Sequence, residues 1–357
     1  MDKKKVIFIV PYPIGEAPSQ RFRFEQYLTY LQAHHYDIEF SSFMSLATWK
    51  LLYKPGFFVK KTLGILMGFC RRIGDLFVIP FKDIVFIHRE ATPIGPPIFE
   101  FIVAKVLQKK IIYDFDDAIW LPNTSEHNKI ASSLKWHSKV SSICKWSYKV
   151  SCGNEYLAKY ASNFNKQVYE IPTTIDTTSR HNILSTHEDG RQVIGWTGTH
   201  STIKYLDFLI PILVRLEKKY DFDFLVISNK RPTYDLKSLK FIAWNKATEI
   251  EDLSKITIGV MPLEDDQWSA GKCGFKGLQY MSLRIPTIMS PVGVNKEIVE
   301  HLVNGILASS LEEWESSLEQ LLLDRSLRLK LGEAGRERVV NAYSVKSMEQ
   351  RYLALLS

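Results

Sequence analysis

The chain has 357 residues, of which 45% are hydrophobic and 24% charged. This balance belongs to ordinary globular domains and excludes a disordered, collagen-like or low-complexity chain. The length suggests about two domains, each able to bury a core without disulfide or metal staples. The four cysteines, Cys70, Cys144, Cys152 and Cys273, are far apart and form no C-x-x-C pair or Cys/His cluster, so a structural zinc site is not expected. The formal charge of +7 is uneven: residues 1–172 hold 23 Lys and Arg against 15 Asp and Glu, the remainder 23 against 24. A basic first half suits nucleic acid, an anionic membrane surface or a phosphorylated substrate. Nucleic acid is set aside, because no recognisable module or aromatic-basic interleaving accompanies the charge.

In chain order, Lys5 to Val10 is a continuous β-branched and aromatic run. It is too short for the core of a signal peptide, and a cytoplasmic protein is expected. A Pro/Gly loop, Pro11 to Pro18, and a helical stretch from Arg21 to Gln32 follow. Gly56 to Ile79 is rich in apolar residues (Phe57, Phe58, Val59, Leu63, Ile65, Leu66, Met67, Phe69), but Lys60, Lys61, Arg71 and Arg72 interrupt and flank them. Its uninterrupted apolar run is far short of a membrane span. Two readings stay open: a basic amphipathic helix on an anionic membrane, or a helix packed on its domain with solvated cations.

Buried-strand candidates are Ile84 to Ile87, Lys110 to Tyr113, Tyr148 to Cys152 and Val168 to Ile171. In the second half they are Gln192 to Trp196, Phe222 to Ile227, Lys240 to Ala243, Ile256 to Met261 and Thr287 to Met289. Short apolar runs alternating with helical spacing predict parallel sheets covered on both faces. Two such blocks in series mean two doubly wound α/β domains, residues 1–172 and 191–340. The polar stretch 173–190 reads as a linker. The terminal helix, within 341–357, is able to cross back to the first domain.

Four constellations carry possible chemistry. The first is GKCGFKGLQYM, Gly271 to Met281. Its glycine-bearing loop opens a helix whose backbone N–H groups suit a phosphate, and Lys272 and Lys276 add charge four residues apart. The next strand ends in Ser290-Pro291-Val292-Gly293-Val294-Asn295, a second loop with a close-approach glycine. Both fall where open α/β sheets bind ligands. The second, GWTGTHS with Lys204 beyond it, is another strand, small-residue turn and helix start. A purely structural turn fits that spacing equally well. The third, YDFDDAIW, crowds Asp114, Asp116 and Asp117 at a strand end, where like charges should raise one another's pKa values. Helix capping or lysine pairing is the plainer alternative. The fourth joins His88-Arg89-Glu90, also at a strand end, to Arg21 and Arg23 of SQRFRF. Arginine suits bidentate phosphate recognition, although a structural Arg–Glu pair and helix-surface charges account for these residues too.

On these motifs the chain resembles family 4 retaining glycosyltransferases of bacterial surface-polysaccharide type. The run GKCGFKGLQYMSLRIPTIMSPVGVNKEIVEHLVNGILA resembles that family's donor-binding region, and IGWTGTHSTIK its first donor-domain strand, turn and helix. YDFDDAIW, SQRFRFEQYL and CGNEYLAKYA resemble acceptor-domain segments. The resemblance spans essentially the whole chain. It implies the GT-B fold, two Rossmann-like domains facing each other across a cleft, with acceptor site first and donor site second. It implies transfer of a sugar, with retention, from a nucleotide sugar to a hydroxyl, without bound metal or other cofactor. The lysine of the family's Gly-Arg-x4-Lys turn falls on Lys204, and its arginine on Thr199. The two glutamates of the Glu-x7-Glu region fall on Gly271 and Gln279, which leaves the first glutamate's role without its usual residue.

The donor set implied is therefore Gly198, Thr199, His200, Trp244 (stacking on the base, with a core tryptophan the equal alternative), Lys272, Gly274, Phe275, Gln279, Gly293 and Asn295. Lys204 and Lys276 are assigned to the departing diphosphate. A family His-Asp pair falls on Asp116 and Asp117, so Asp116 is expected to contact the donor sugar or steer the acceptor. Arg21, Arg23, His88, Arg89 and Glu90 fall on the acceptor side. A lipid-linked or polysaccharide acceptor at the inner face of a membrane follows from the resemblance and the basic first half. The alternatives are a nucleotide-sugar epimerase of the same fold, separable by its free altered sugar product, and a relic that binds without turnover.

Overall fold

The computed structural model describes residues 3–52, 54–122, 135–185 and 190–357. The chain divides into two compact units, Met1–Thr173 with Glu349–Ser357, and Thr174–Met348.

Unit 1 is built on six parallel strands, β1 (Lys4–Val10), β2 (Tyr36–Ser42), β3 (Ile84–His88), β4 (Lys110–Phe115), β5 (Lys149–Cys152) and β6 (Val168–Glu170), in the order β2-β1-β3-β4-β5-β6. Val6 to Val10 are wholly buried, as expected for a strand covered on both faces. Phe8 packs against Phe24, Phe40 and Phe86 with ring centroids 5.2, 5.2 and 4.6 Å away. β2 eluded the search for continuous apolar runs because its apolar and acidic residues alternate: Tyr36, Asp37, Ile38, Glu39, Phe40. That is the pattern of a half-buried edge strand. The stretch expected as one helix after β1 is broken into Pro18–Arg21, a 3-10 turn Glu25–Tyr27 and Leu28–Ala33. The terminal helix Val345–Leu356 ends in unit 1. There Tyr352 stacks on Tyr27 at 4.2 Å, and Lys4 Nζ donates to the Leu356 carbonyl at 2.9 Å.

Unit 2 has strands β7 (Gln192–Gly198), β8 (Phe222–Ser228), β9 (Leu239–Ala243), β10 (Ile258–Met261), β11 (Thr287–Met289) and β12 (Ile306–Leu307), all parallel, in the order β12-β11-β10-β7-β8-β9. This is the doubly wound Rossmann order. Its reversal lies between β7 and β10, where glycines let neighbours approach. A Cβ at Gly195 would lie 2.3 Å from Ile256, and one at Gly259 2.5 Å from the Tyr280 ring. The stretch read as a linker packs on this unit over its described residues. Thr174 and His181 are buried, Ile175 bridges Ser344, and Ser185 N–H donates to the Leu283 carbonyl at 2.9 Å. Residues 186–189 lie outside the described residues.

Candidate functional site

In unit 2, the sheet's reversal point directs attention to the carboxyl ends of β7 and β10. The helix Phe275–Ser282 starts at Gly274, whose φ of +63° is a left-handed conformation glycine adopts without strain. A Cβ on Gly274 would meet Ile298 at 2.2 Å and Asn295 Oδ1 at 3.2 Å. The loop after β11 therefore lies directly against this helix start. Gly293, at φ +53°, seats that loop on the Ala270 carbonyl, 2.6 Å from where its Cβ would stand. Two glycines thus lock the 271–274 and 290–295 segments together.

From the other side, Tyr280 reaches out of the same helix, and its hydroxyl accepts the Thr197 N–H of β7 at 2.8 Å. Burial pushes that phenol's pKa up, so it stays neutral. Lys276 Nζ stands 5.7 Å above the ring of Trp196. The far edge of that ring lies 2.5 Å from where a Gly198 Cβ would be. Lys276, the helix start and the Gly198-Thr199 turn consequently share one small region. Gln279 and Asn295 are 2% and 0% exposed, yet Gln279 Nε2 and Asn295 Oδ1 find no hydrogen-bond partner among the described residues. Asn295 is held by its other end, its Nδ2 donating to the Ser290 carbonyl at 2.9 Å. A buried donor and a buried acceptor left unmade cost stability, and such groups call for an explanation such as a missing partner.

The remaining residues expected on the donor side are less convergent. The segment after β7 is a 3-10 helix, His200–Leu206, rather than the α-helix start expected. His200 N–H donates to Asn229 Oδ1 at 2.8 Å, and Thr199 Oγ1 shares a hydrogen bond with Ser201. Lys204 is exposed, its Nζ 5.2 Å above the Tyr205 ring. Lys272 Nζ stands 4.8 Å above Trp268, and Phe275 is half-buried at the first helical position. Trp244 follows β9, two strands or about 10 Å from β7. Its Nε1–H donates to Glu249 at 3.3 Å, and its ring packs on the core beside Leu225 and Ile227.

In unit 1 the reversal lies between β1 and β3. Arg23, expected on the rim, is buried. Its guanidinium donates to Asp114, to Ser151 Oγ at 3.1 Å and to the Ile171 carbonyl. Asp114 also bonds His88 Nδ1 at 2.8 Å. Burial by itself would push the Asp114 pKa up, but the Arg23 charge and the His88 bond hold it well below the usual carboxylate range. The raising expected from its carboxylate neighbours does not occur at Asp114.

Arg89, left-handed at φ +58°, grips both other carboxylates, Asp116 Oδ1 at 2.8 Å from its Nε and Asp117 through Nη2. Glu90 pairs with Lys139 at 2.7 Å, and buried Arg21 stands 5.0 Å above the Phe22 ring. Asp116, Asp117 and Arg89 thus form one part-exposed group, with Asp114, His88 and Arg23 beneath it. Sequence reasoning singled out Asp114 among the crowded carboxylates but not its pairing with Arg23 and His88, and it missed Tyr280 and Asn229, which read as ordinary core and turn residues until their partner strands are known.

Two doubly wound sheets of this kind, with a glycine-locked helix start at the second reversal point, define the GT-B class of fold. Residues 191–324 match the family model described as "Glycosyl transferases group 1", a span that contains every donor-side residue named above. No curated protein matches the sequence. Among solved structures, the sucrose-phosphate synthase of Thermosynechococcus elongatus aligns with a TM-score of 0.72 at 12% identity, covering 99% of this chain and 98% of that one. A glycosyltransferase of Rickettsia africae aligns at 0.68 and 13% identity, covering 99% and 98%. Anabaena HepE, solved with UDP-glucose, aligns at 0.64 and 13%, covering 99% of both.

Proposed function

We propose that this protein is a glycosyltransferase that moves a sugar from a nucleotide sugar, with retention, to a hydroxyl of a lipid-linked or polysaccharide acceptor. The observation that carries the reading is the convergence of Lys276, the Gly274 helix start and the Gly198 turn, inside the segment that matches group 1 glycosyltransferases. In this reading Lys276 and the first N–H groups of its helix stabilise the charge developing on the departing diphosphate. Gln279 Nε2 donates to a donor hydroxyl and Asn295 Oδ1 accepts from one, which supplies the partners these buried atoms lack. Asp116 and Asp117, oriented by Arg89, receive the acceptor side, and the reaction needs no bound metal. The protein works in the cytoplasm, in cell-surface glycan synthesis. HepE's complexes with UDP and UDP-glucose make UDP-sugars the first donors to test.

The test is a thermal-shift screen of nucleoside diphosphates and their sugar conjugates, with EDTA and with magnesium, followed by turnover of whichever binds. Binding to the native state raises the melting temperature, equally with and without metal in this reading. Lys276→Ala should then lower turnover about 100-fold or more; wild-type turnover in that variant removes the lysine from the mechanism. A second reading, a binder without turnover, is favoured by one feature: glycine stands at 271 where the family has glutamate. Nucleotide binding with no transfer to any acceptor extract would select it.

A further inference from the structure

The helix Phe58–Val78 of unit 1 is turned opposite to an ordinary surface helix. Its inward face carries Gly64, Gly68, Arg72 and Asp75, all buried. Its outward face carries Val59, Leu63, Leu66, Met67, Ile73 and Phe77, each between 53% and 75% exposed. The spacing 59, 63, 66, 73, 77 keeps these residues on one stripe, which Phe81, also exposed, continues past the helix end. A helix of this length extends the stripe about 30 Å.

The rotation is fixed from inside. Arg72 donates to the carbonyls of Ala91 at 2.7 Å and Val10 at 2.8 Å, to Ser41 Oγ at 2.9 Å and to Asp75 at 2.8 Å. Asp75 in turn accepts from Ser41 Oγ at 2.7 Å. A Cβ on Gly64 would lie 2.5 Å from Thr48, and one on Gly68 2.6 Å from Phe43. Turning the stripe inward would break every one of these contacts and leave Arg72 and Asp75 to be solvated anew. The apolar face is therefore held outward.

We infer that this face is an interfacial docking surface for an anionic lipid bilayer, on which the helix lies flat with Val59, Leu63, Leu66, Met67, Ile73 and Phe77 immersed among the headgroups and upper acyl chains. Among the described residues no helix is long and apolar enough to cross a membrane, so the helix lies on the surface. Charge chooses this occupant over a second copy of the chain. Lys54, Lys60 and Lys61 cluster at the N-terminal end, where Lys61 Nζ donates to the Lys54 carbonyl at 2.6 Å. At the other end Lys109 donates to the Pro80 and Lys82 carbonyls, at 2.7 and 2.9 Å, Lys82 is paired with Glu39, and Asp83 is exposed, so the basic charge sits at the N-terminal end. Two copies of the helix side by side in parallel would set the lysine clusters Lys54, Lys60 and Lys61 against each other, whereas an anionic surface attracts that cluster while it takes up the apolar stripe. The inference does not depend on the glycosyl-transfer reading.

The full chain is tested by flotation with vesicles of phosphatidylcholine alone and with about 30% phosphatidylglycerol. Cys70 lies on the same face and is exposed, while the other three cysteines are buried, so an environment-sensitive fluorophore on Cys70 reports immersion directly. The expected results are binding to the anionic vesicles with a blue shift of the label, and a loss of binding of about tenfold or more in Leu66→Glu/Phe77→Glu. Replacing Lys60 and Lys61 by glutamine should cost about fivefold per lysine. Circular dichroism melts confirm that these surface variants remain folded. No flotation with either vesicle, or equal flotation of the glutamate variant, overturns the inference. So does a solution dimer that Leu66→Glu dissociates while the wild type ignores vesicles, which would make the stripe a self-interface. Vesicle binding requires neither nucleotide nor turnover, so its failure and a failure of the transferase reading are told apart.

Discussion

Asp114 is one strand-end carboxylate among three, and its neighbours decide what it is. Asp116 and Asp117 share Arg89 at the part-exposed surface, while Asp114, 1% exposed, takes Arg23 across both oxygens and His88 on Oδ2. Removing one partner of a buried pair strands the other charge, at a cost of about 3–5 kcal/mol. Asp114→Asn should therefore lower the unfolding free energy by that order in a denaturant titration. The pH dependence has a definite sign. A carboxyl whose folded pKa is depressed contributes its full stability above the unfolded value, about 3.9. It loses that contribution only as pH falls through the folded value. Wild-type stability should thus decline through this group between about pH 4 and strongly acid conditions, and the asparagine variant should lack that part of the decline. An asparagine variant with an unchanged acid limb would mean that Asp114 gains nothing from Arg23.

The helix Phe275–Ser282 shows how one element is seated by residues outside it. Its start is set by Gly274 against Ile298, its middle by Gly277, whose Cβ would lie 2.4 Å from Met289, and its inner face by Tyr280 against Gly259. The loop that backs it depends on Gly293, where a side chain would meet backbone, the Ala270 carbonyl. A backbone atom cannot swing aside, and the left-handed φ adds strain. Gly293→Ala should accordingly cost about 1–3 kcal/mol and also weaken nucleotide binding, because it displaces the 271–274 loop. A thermal melt with and without ligand separates the two effects. Full ligand-induced stabilisation in the variant would show that the loop contact is structural only. The motif GKCGFKGLQYM announced a glycine loop and a helix, but which glycines touch which neighbours depends on β10, β11 and the 290–295 loop.

At the scale of the whole molecule, unit 1 is completed by the last residues of the chain. Tyr352, Leu355 and Leu356 are each no more than 1% exposed, and Lys149 Nζ caps the Ala354 and Leu355 carbonyls at 3.1 and 3.2 Å. Side chains of this kind stabilise by roughly 1.5–3 kcal/mol each when buried. Ending the chain at Met348 should destabilise unit 1 by several kcal/mol and leave the core of unit 2 intact. Hydrogen exchange would show this as lost protection in β1 and β3 with β7 and β8 unchanged; unchanged protection in β1 would mean that the terminal helix adds nothing to unit 1.

Local pattern alone was enough to indicate two parallel α/β blocks, the central strands of both, the glycine loops and the lysines beside them. These features depend on short-range chemistry: continuous apolar runs demand burial on both faces, and glycine permits turns that other residues resist. The edge strand β2 stayed hidden because an edge buries one face only. The pairing of Asp114 with Arg23, separated by 91 residues, and the reach of Tyr280 to Thr197, across 83, stayed hidden because only sheet order brings such residues together. The outward turn of Phe58–Val78 belongs with them. Its sequence announces an amphipathic helix under either orientation, and hydrophobicity alone would bury the apolar stripe. Tertiary structure decides otherwise, because Gly64 and Gly68 admit close neighbours and Arg72 and Asp75 find their hydrogen-bond partners only on the inner side.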